Sequence, residues 1–96
     1  MKITDLEFEI LKAIDLSEYG EHLTDDIWFF SVEDNASDKI TKSNISGLVG
    51  SLVKKGLVSV CDAGTEDHTI AMTASGAGGY VGRNGGSQKT YNRGDQ

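Results

Sequence analysis

ITKSNISGLVGSLVKKGLVSV, residues 40–60, decides how this chain folds. Ile45, Leu48, Val49, Leu52 and Val53 recur at i, i+3, i+4, i+7 and i+8, the stripe of a helix with one buried face. Thr41 or Ser43 can cap its start, because a side-chain oxygen there accepts from an unpaired backbone N–H. Gly56 follows Lys54 and Lys55. Glycine takes the left-handed conformation that ends a helix, and lysines suit its negative dipole end. Leu57, Val58, Val60 and Cys61 then read as a short strand. The stretch predicts a capped helix over 41–55, a glycine stop and an immediate strand over 57–61.

Outward from there the totals are ordinary. Ninety-six residues make one domain, and 38% apolar with 25% charged residues is normal for a globular chain. No apolar run approaches the ~18–20 residues that span a bilayer. MKITDLEFEI lacks the basic-then-apolar layout of a signal peptide, and the single cysteine has no internal partner. These features predict a cytoplasmic setting. The chain has no proline, so its breaks fall to glycine, asparagine, aspartate and serine.

The net charge of −6 is unevenly spread. Residues 1–36 carry −8, residues 37–56 carry +3, residues 57–70 carry −3 and residues 71–96 carry +2. A nucleic-acid binder shows a basic patch. Here a small basic island sits in an acidic chain.

Residues 4–16 predict a first helix, with Leu6, Ile10, Ala13 and Ile14 on one face and Phe8 and Leu11 broadening it. Thr4 and Glu7 have capping-box spacing. Thr24, followed by Asp25 and Asp26, predicts the start of a second helix that carries Ile27, Trp28, Phe29, Phe30 and Val32. By composition alone that cluster fits a strand equally well; its aromatics read as core. After the polar connection 33–40 and the central helix, residues 57–73 read as a β-hairpin with a polar loop. In its return strand Ile70 and Met72 alternate with Thr69, Ala71 and Thr73.

From Gly76 the run GAGGYVGRNGGSQKTYNRGDQ holds almost no apolar residues. Each glycine in a helix is unfavourable by roughly 1 kcal/mol against alanine. One short turn over 73–80 is expected, and disorder beyond Gly82.

Helix, helix, helix and hairpin is the order of a winged helix-turn-helix domain. KSNISGLVGSLVKKGLV, residues 42–58, resembles the recognition helix and first wing strand of MarR-like bacterial and phage regulators. Met72, Thr73 and Gly76, in MTASG, resemble the Leu-Thr-x-x-Gly that follows the wing in that superfamily. The resemblance covers roughly residues 4–80. It implies an α+β, mainly α fold of three helices and a two- or three-stranded wing over 1–81, with 82–96 as a glycine-rich tail.

The resemblance also implies a double-stranded DNA partner and a role in transcription regulation. Helix 41–55 would lie in the major groove. Lys39, Lys42, Ser43, Asn44, Ser46, Gly47, Lys54 and Lys55 are then the candidate DNA-binding residues, with Gly50 and Ser51 on the same face. Asn44 suits an adenine edge, serines suit bases or phosphates, and the lysines suit phosphates. The wing loop 62–68 would lie beside the backbone.

Three departures support a second expectation. Gly47, Gly50 and Ser51 stand where DNA-binding relatives carry long polar side chains. Asp62, Glu66 and Asp67 make the wing acidic. The long dimerisation helix of MarR-like proteins has no counterpart after Gly76. The alternative is an acidic winged helix interaction module, suited to a phage or mobile element, that engages a basic protein partner and not DNA. A monomer or weak homodimer fits either. Gly47 and Gly50 mark either a surface for close approach or an unused face.

Nothing in the chain arranges a catalytic constellation, so no enzyme activity and no cofactor are expected. His22 and His68 lack metal-ligand spacing, and Cys61 reads as a small buried hydrophobe. The C-terminal glycines lack the Gly-Lys-Ser/Thr ending of a phosphate loop.

Overall fold

The computed structural model describes residues 2–90. They form a small α+β domain of four helices and one three-stranded antiparallel sheet. The order is α1 (Asp5–Leu16), β1 (Ile27–Trp28), α2 (Phe29–Asn35), α3 (Ile45–Lys54), β2 (Val58–Cys61), β3 (Thr69–Met72) and α4 (Ala74–Asn84). The strands lie in the order β1-β3-β2. None of the described helices is long and apolar enough to cross a membrane.

The capping box of α1 is formed. The Thr4 hydroxyl accepts from Glu7 N at 3.2 Å, and Glu7 Oε1 accepts from Thr4 N at 2.9 Å. Ile10, Leu11, Ala13 and Ile14 are buried, and α1 packs against α2, α3 and α4.

The second helix begins later than Thr24 predicts. The Asp25 carboxylate turns back and accepts from Glu21 N at 2.9 Å and His22 N at 3.0 Å. It therefore closes a turn, an alternative always open to aspartate. Ile27 and Trp28 then pair with Ile70 and Thr69 as β1. Ile27 enters the core while Trp28 faces out, the alternation of a strand. Helix α2 starts at Phe29, whose N–H is donated to His68 O at 3.0 Å. The aromatic run is thus only partly core: Trp28 is 38% exposed and Phe30 50%.

Helix α3 buries Ile45, Val49 and Leu52, with Leu48 packed at the edge of the core. Val53, expected on the same stripe, is exposed. Thr41 and Asn44 cap the turn into α3 reciprocally. Asn44 Oδ1 accepts from Thr41 N at 2.7 Å, and Thr41 Oγ1 accepts from Asn44 N at 3.3 Å. The stop is a Schellman motif. Gly56 has φ +74°, its N–H reaches Val53 O, and Leu57 N reaches Leu52 O at 2.9 Å.

The hairpin pairs Val58 with Met72 and Val60 with Ile70. Cys61 is exposed, contrary to the buried reading. Val58 and Val60 share the inward side of β2, which leaves Ser59 and Cys61 on the other.

A fourth helix stands where a short turn and a disordered tail are expected. Thr73 caps α4, accepting from Gly76 N at 3.0 Å while its hydroxyl donates to Gly56 O at 2.6 Å. A Cβ on Gly76 would lie 1.8 Å from Leu57 O, so only glycine lets α4 rest on that carbonyl. Tertiary contacts offset the glycine penalties. Tyr80 is buried, stacks on Phe8 at 5.5 Å and donates to Asp15 Oδ2 at 2.8 Å. Burial and the Asp15 carboxylate together hold the Tyr80 phenol well above its ordinary pKa. Arg83 lies over the Phe8 ring and pairs with Asp5.

Beyond Gly85, Asp15 also accepts from Gln88 N at 3.0 Å and Lys89 N at 2.8 Å, and Thr90 bridges to His22. The expected tail is therefore packed as far as Thr90. The rest of it, residues 91–96, lies outside the described residues.

Candidate nucleic-acid interface

The outward stripe of α3 and its leading turn carries Ser43, Ser46, Gly47, Gly50 and Lys54, all exposed. A Cβ built on Gly47 or Gly50 would meet nothing within 4 Å. Close approach within the chain therefore does not explain these glycines; the face is bare and open. Lys39 and Lys42 flank its start, both exposed, and Lys54 stands at its end. From Lys39 to Cys61 the chain has four lysines and no acid.

Four groups on or near this face have partners within the chain. Ser43 Oγ shares a hydrogen bond with Thr41 Oγ1 at 2.9 Å, which leaves it further capacity to donate or accept. Asn44 Oδ1 is used by Thr41 N, and Asn44 Nδ2 donates to Lys39 O at 3.1 Å. Its amide holds the helix start, so reading an adenine edge would break the cap. Lys55 Nζ donates to Glu7 Oε1 at 2.6 Å and to Lys2 O at 2.9 Å. Ser51 Oγ donates to Glu7 Oε2 at 2.5 Å.

Glu7 is the residue that sequence reasoning understated. It is 2% exposed, yet it completes the α1 cap and binds two side chains of the α3 segment. Burial pushes its carboxyl pKa up. The Lys55 ammonium, the Ser51 hydroxyl and Thr4 N–H outweigh that effect and bring it down to about 2. Its spacing from Thr4 signals the cap; nothing local signals the partners on α3.

Two acids crowd the leading end of the stripe. Glu33 and Asp34 from α2 line a groove with Ile40, Thr41, Lys42 and Ile45. The loop 62–68 is exposed up to His68 and is shaped by Asp62 at φ +53° and Gly64 at φ +83°. Thr65 braces it, its hydroxyl donating to Asp62 O at 2.7 Å and accepting from Asp67 N at 3.1 Å. The loop carries Asp62, Glu66 and Asp67 and no lysine or arginine. His68 turns inward and stacks on Phe29 at 4.1 Å.

Among the described residues no three His, Cys, Asp or Glu side chains are grouped to hold a metal. No family model, curated protein or solved structure matches the chain.

Proposed function

We propose that the chain is a winged helix protein that binds double-stranded DNA through the α3 face, in the manner of a cytoplasmic transcriptional regulator. The hairpin β2–β3 is the wing, and α1, α2 and α3 are the helical core. One observation carries the reading: an open helical stripe of small residues, flanked by Lys39, Lys42 and Lys54, in an acid-free stretch of an acidic chain. Small side chains let a helix backbone sit deep in a groove, and the flanking ammonium groups meet phosphates. Ser43, Ser46 and Gly47 are the contact surface. Asn44 and Lys55 act by positioning α3, because their polar atoms are bonded within the chain.

Three lysines imply a log–log salt slope of about −3 for duplex DNA. Fluorescence anisotropy with a random duplex at 50 and 200 mM salt measures it. Saturable binding that weakens with this slope, and that Lys42→Glu removes, supports the proposal. No binding at the lower salt would reject it.

A second reading, an acidic winged helix interaction module that does not bind DNA, is favoured by a specific feature. Glu33 and Asp34 stand beside Lys42, and the hairpin loop 62–68 carries three further acids. The same titration separates the two, since such a module binds no duplex at any salt.

A further inference from the structure

Tyr19 from the turn after α1, Trp28 of β1 and Phe30 of α2 meet on the surface. The rings of Trp28 and Phe30 stack with centroids 6.4 Å apart, and Tyr19 meets Phe30 edge-on at 5.9 Å. They are 37%, 38% and 50% exposed in chain order. Three contiguous aromatics in water are unfavourable unless something covers them. None of the three belongs to the buried core cluster or to the partly buried residues packed against it.

The segment that carries them is acidic. Residues 13–38 hold eight acids and no lysine or arginine. Glu18 and Asp26 are exposed beside Tyr19 and Ile27 in the chain. From Phe30 a groove continues between α2 and the hairpin loop, lined by Phe29, Glu33, Glu66 and His68. Lys89 is buried, and its Nζ donates inward to the Tyr19 and Gly20 carbonyls, where Asp15 and Asp25 offset its charge.

We propose that this aromatic face and its acidic rim dock an arginine-rich segment of a partner protein. A guanidinium lies flat on an aromatic ring and is attracted by its negative face, while its fork meets carboxylates at the rim. Aromatic faces with neighbouring carboxylates match that chemistry, and they repel nucleic acid. None of its residues is one of the proposed DNA contacts, although Glu33 also lines the groove beside Lys42.

Trp28 is the only tryptophan of the chain and reports directly on this face. Its fluorescence is followed during titration with an eight-arginine peptide, and in parallel with an eight-lysine peptide of equal charge. The arginine peptide is expected to bind saturably, at least about five-fold more tightly than the lysine peptide, and to change the Trp28 emission. Tyr19→Ala with Phe30→Ala is expected to weaken it about ten-fold, with an unchanged circular dichroism spectrum and unchanged duplex DNA binding. Lys42→Glu, by contrast, leaves peptide binding in place.

Equal binding of both peptides with no effect of the double substitution would mean general attraction to an acidic protein and would overturn the proposal. So would a dimer in sedimentation that the double substitution abolishes, since a second copy would then be the occupant.

Discussion

Glu7 shows how much one side chain can organise. It joins the first turn of α1 to Ser51 and Lys55, with its charged form held by three donors, Thr4 N–H, the Ser51 hydroxyl and the Lys55 ammonium. A folded pKa of about 2, below the ordinary 4.5, gives stability that is complete above about pH 4.5 and is lost as pH falls towards 2. At 1.36 kcal/mol per unit the full effect is about 3 kcal/mol. Urea denaturation across that window should show the loss in the wild type, while Glu7→Gln starts lower at pH 7 and lacks this component of the acid slope. Identical pH profiles would contradict the assignment. The glycines divide in the same physical terms. Gly76→Ala places a methyl 1.8 Å from Leu57 O and should cost several kcal/mol, as backbone cannot move aside cheaply. Gly47→Ala and Gly50→Ala meet open space and should each stabilise by about 1 kcal/mol through helix propensity. Thermal melts of the three variants should therefore move in opposite directions.

Elements held by local signals were legible in the sequence, and those held by distant partners were not. The apolar spacing, the capping residues and Gly56 all lie within α3 and its ends, so that helix and the hairpin after it were readable. Thr4 and Glu7 made α1 readable in the same way. β1 is two residues long and exists because β3 pairs with it, which no periodicity announces. The Thr24–Asp26 signal was real but served a turn, since Asp25 bonds backwards. The α4 helix is poor in propensity and rich in remote contacts: Phe8, Asp15 and the Leu57 carbonyl. The resemblance marked Thr73 and Gly76 without their reason, which is the junction with Gly56 and Leu57. At the candidate interface the exposed face of α3 was readable, whereas the commitment of Asn44, Ser51 and Lys55 was not. Asp15 ties the last described turn to the body, so Asp15→Ala should free it. Hydrogen exchange at the Lys89 and Thr90 amides is expected to be slow in the wild type and fast in the variant. Equal rates would show that the Thr90 bridge to His22 suffices.

At the scale of the whole molecule, the surface separates two chemistries. A lysine-flanked, side-chain-poor stripe runs along α3, and an acid-rimmed aromatic face joins α1, β1 and α2. In a chain of net charge −6, diffusional attraction to DNA is weak overall, so the proposed contact depends on orienting the lysine-flanked stripe of α3. On the proposed reading, neutralising phosphates there requires the acids of loop 62–68 to stay off the backbone, which would leave α3 as the main contact. On the proposed readings the two sites share no contact side chain, although Glu33 lines both the groove beside Lys42 and the groove beside Phe30. The most direct measurement is a two-dimensional NMR titration of the 15N-labelled chain with duplex DNA at low salt. Shift changes confined to the amides of Ser43, Ser46, Gly47 and Gly50 and their neighbours, with Tyr19, Trp28 and Phe30 unmoved, are the expected result. An unchanged spectrum, or changes centred on the aromatic face, would contradict the reading of α3 as the DNA-contacting helix.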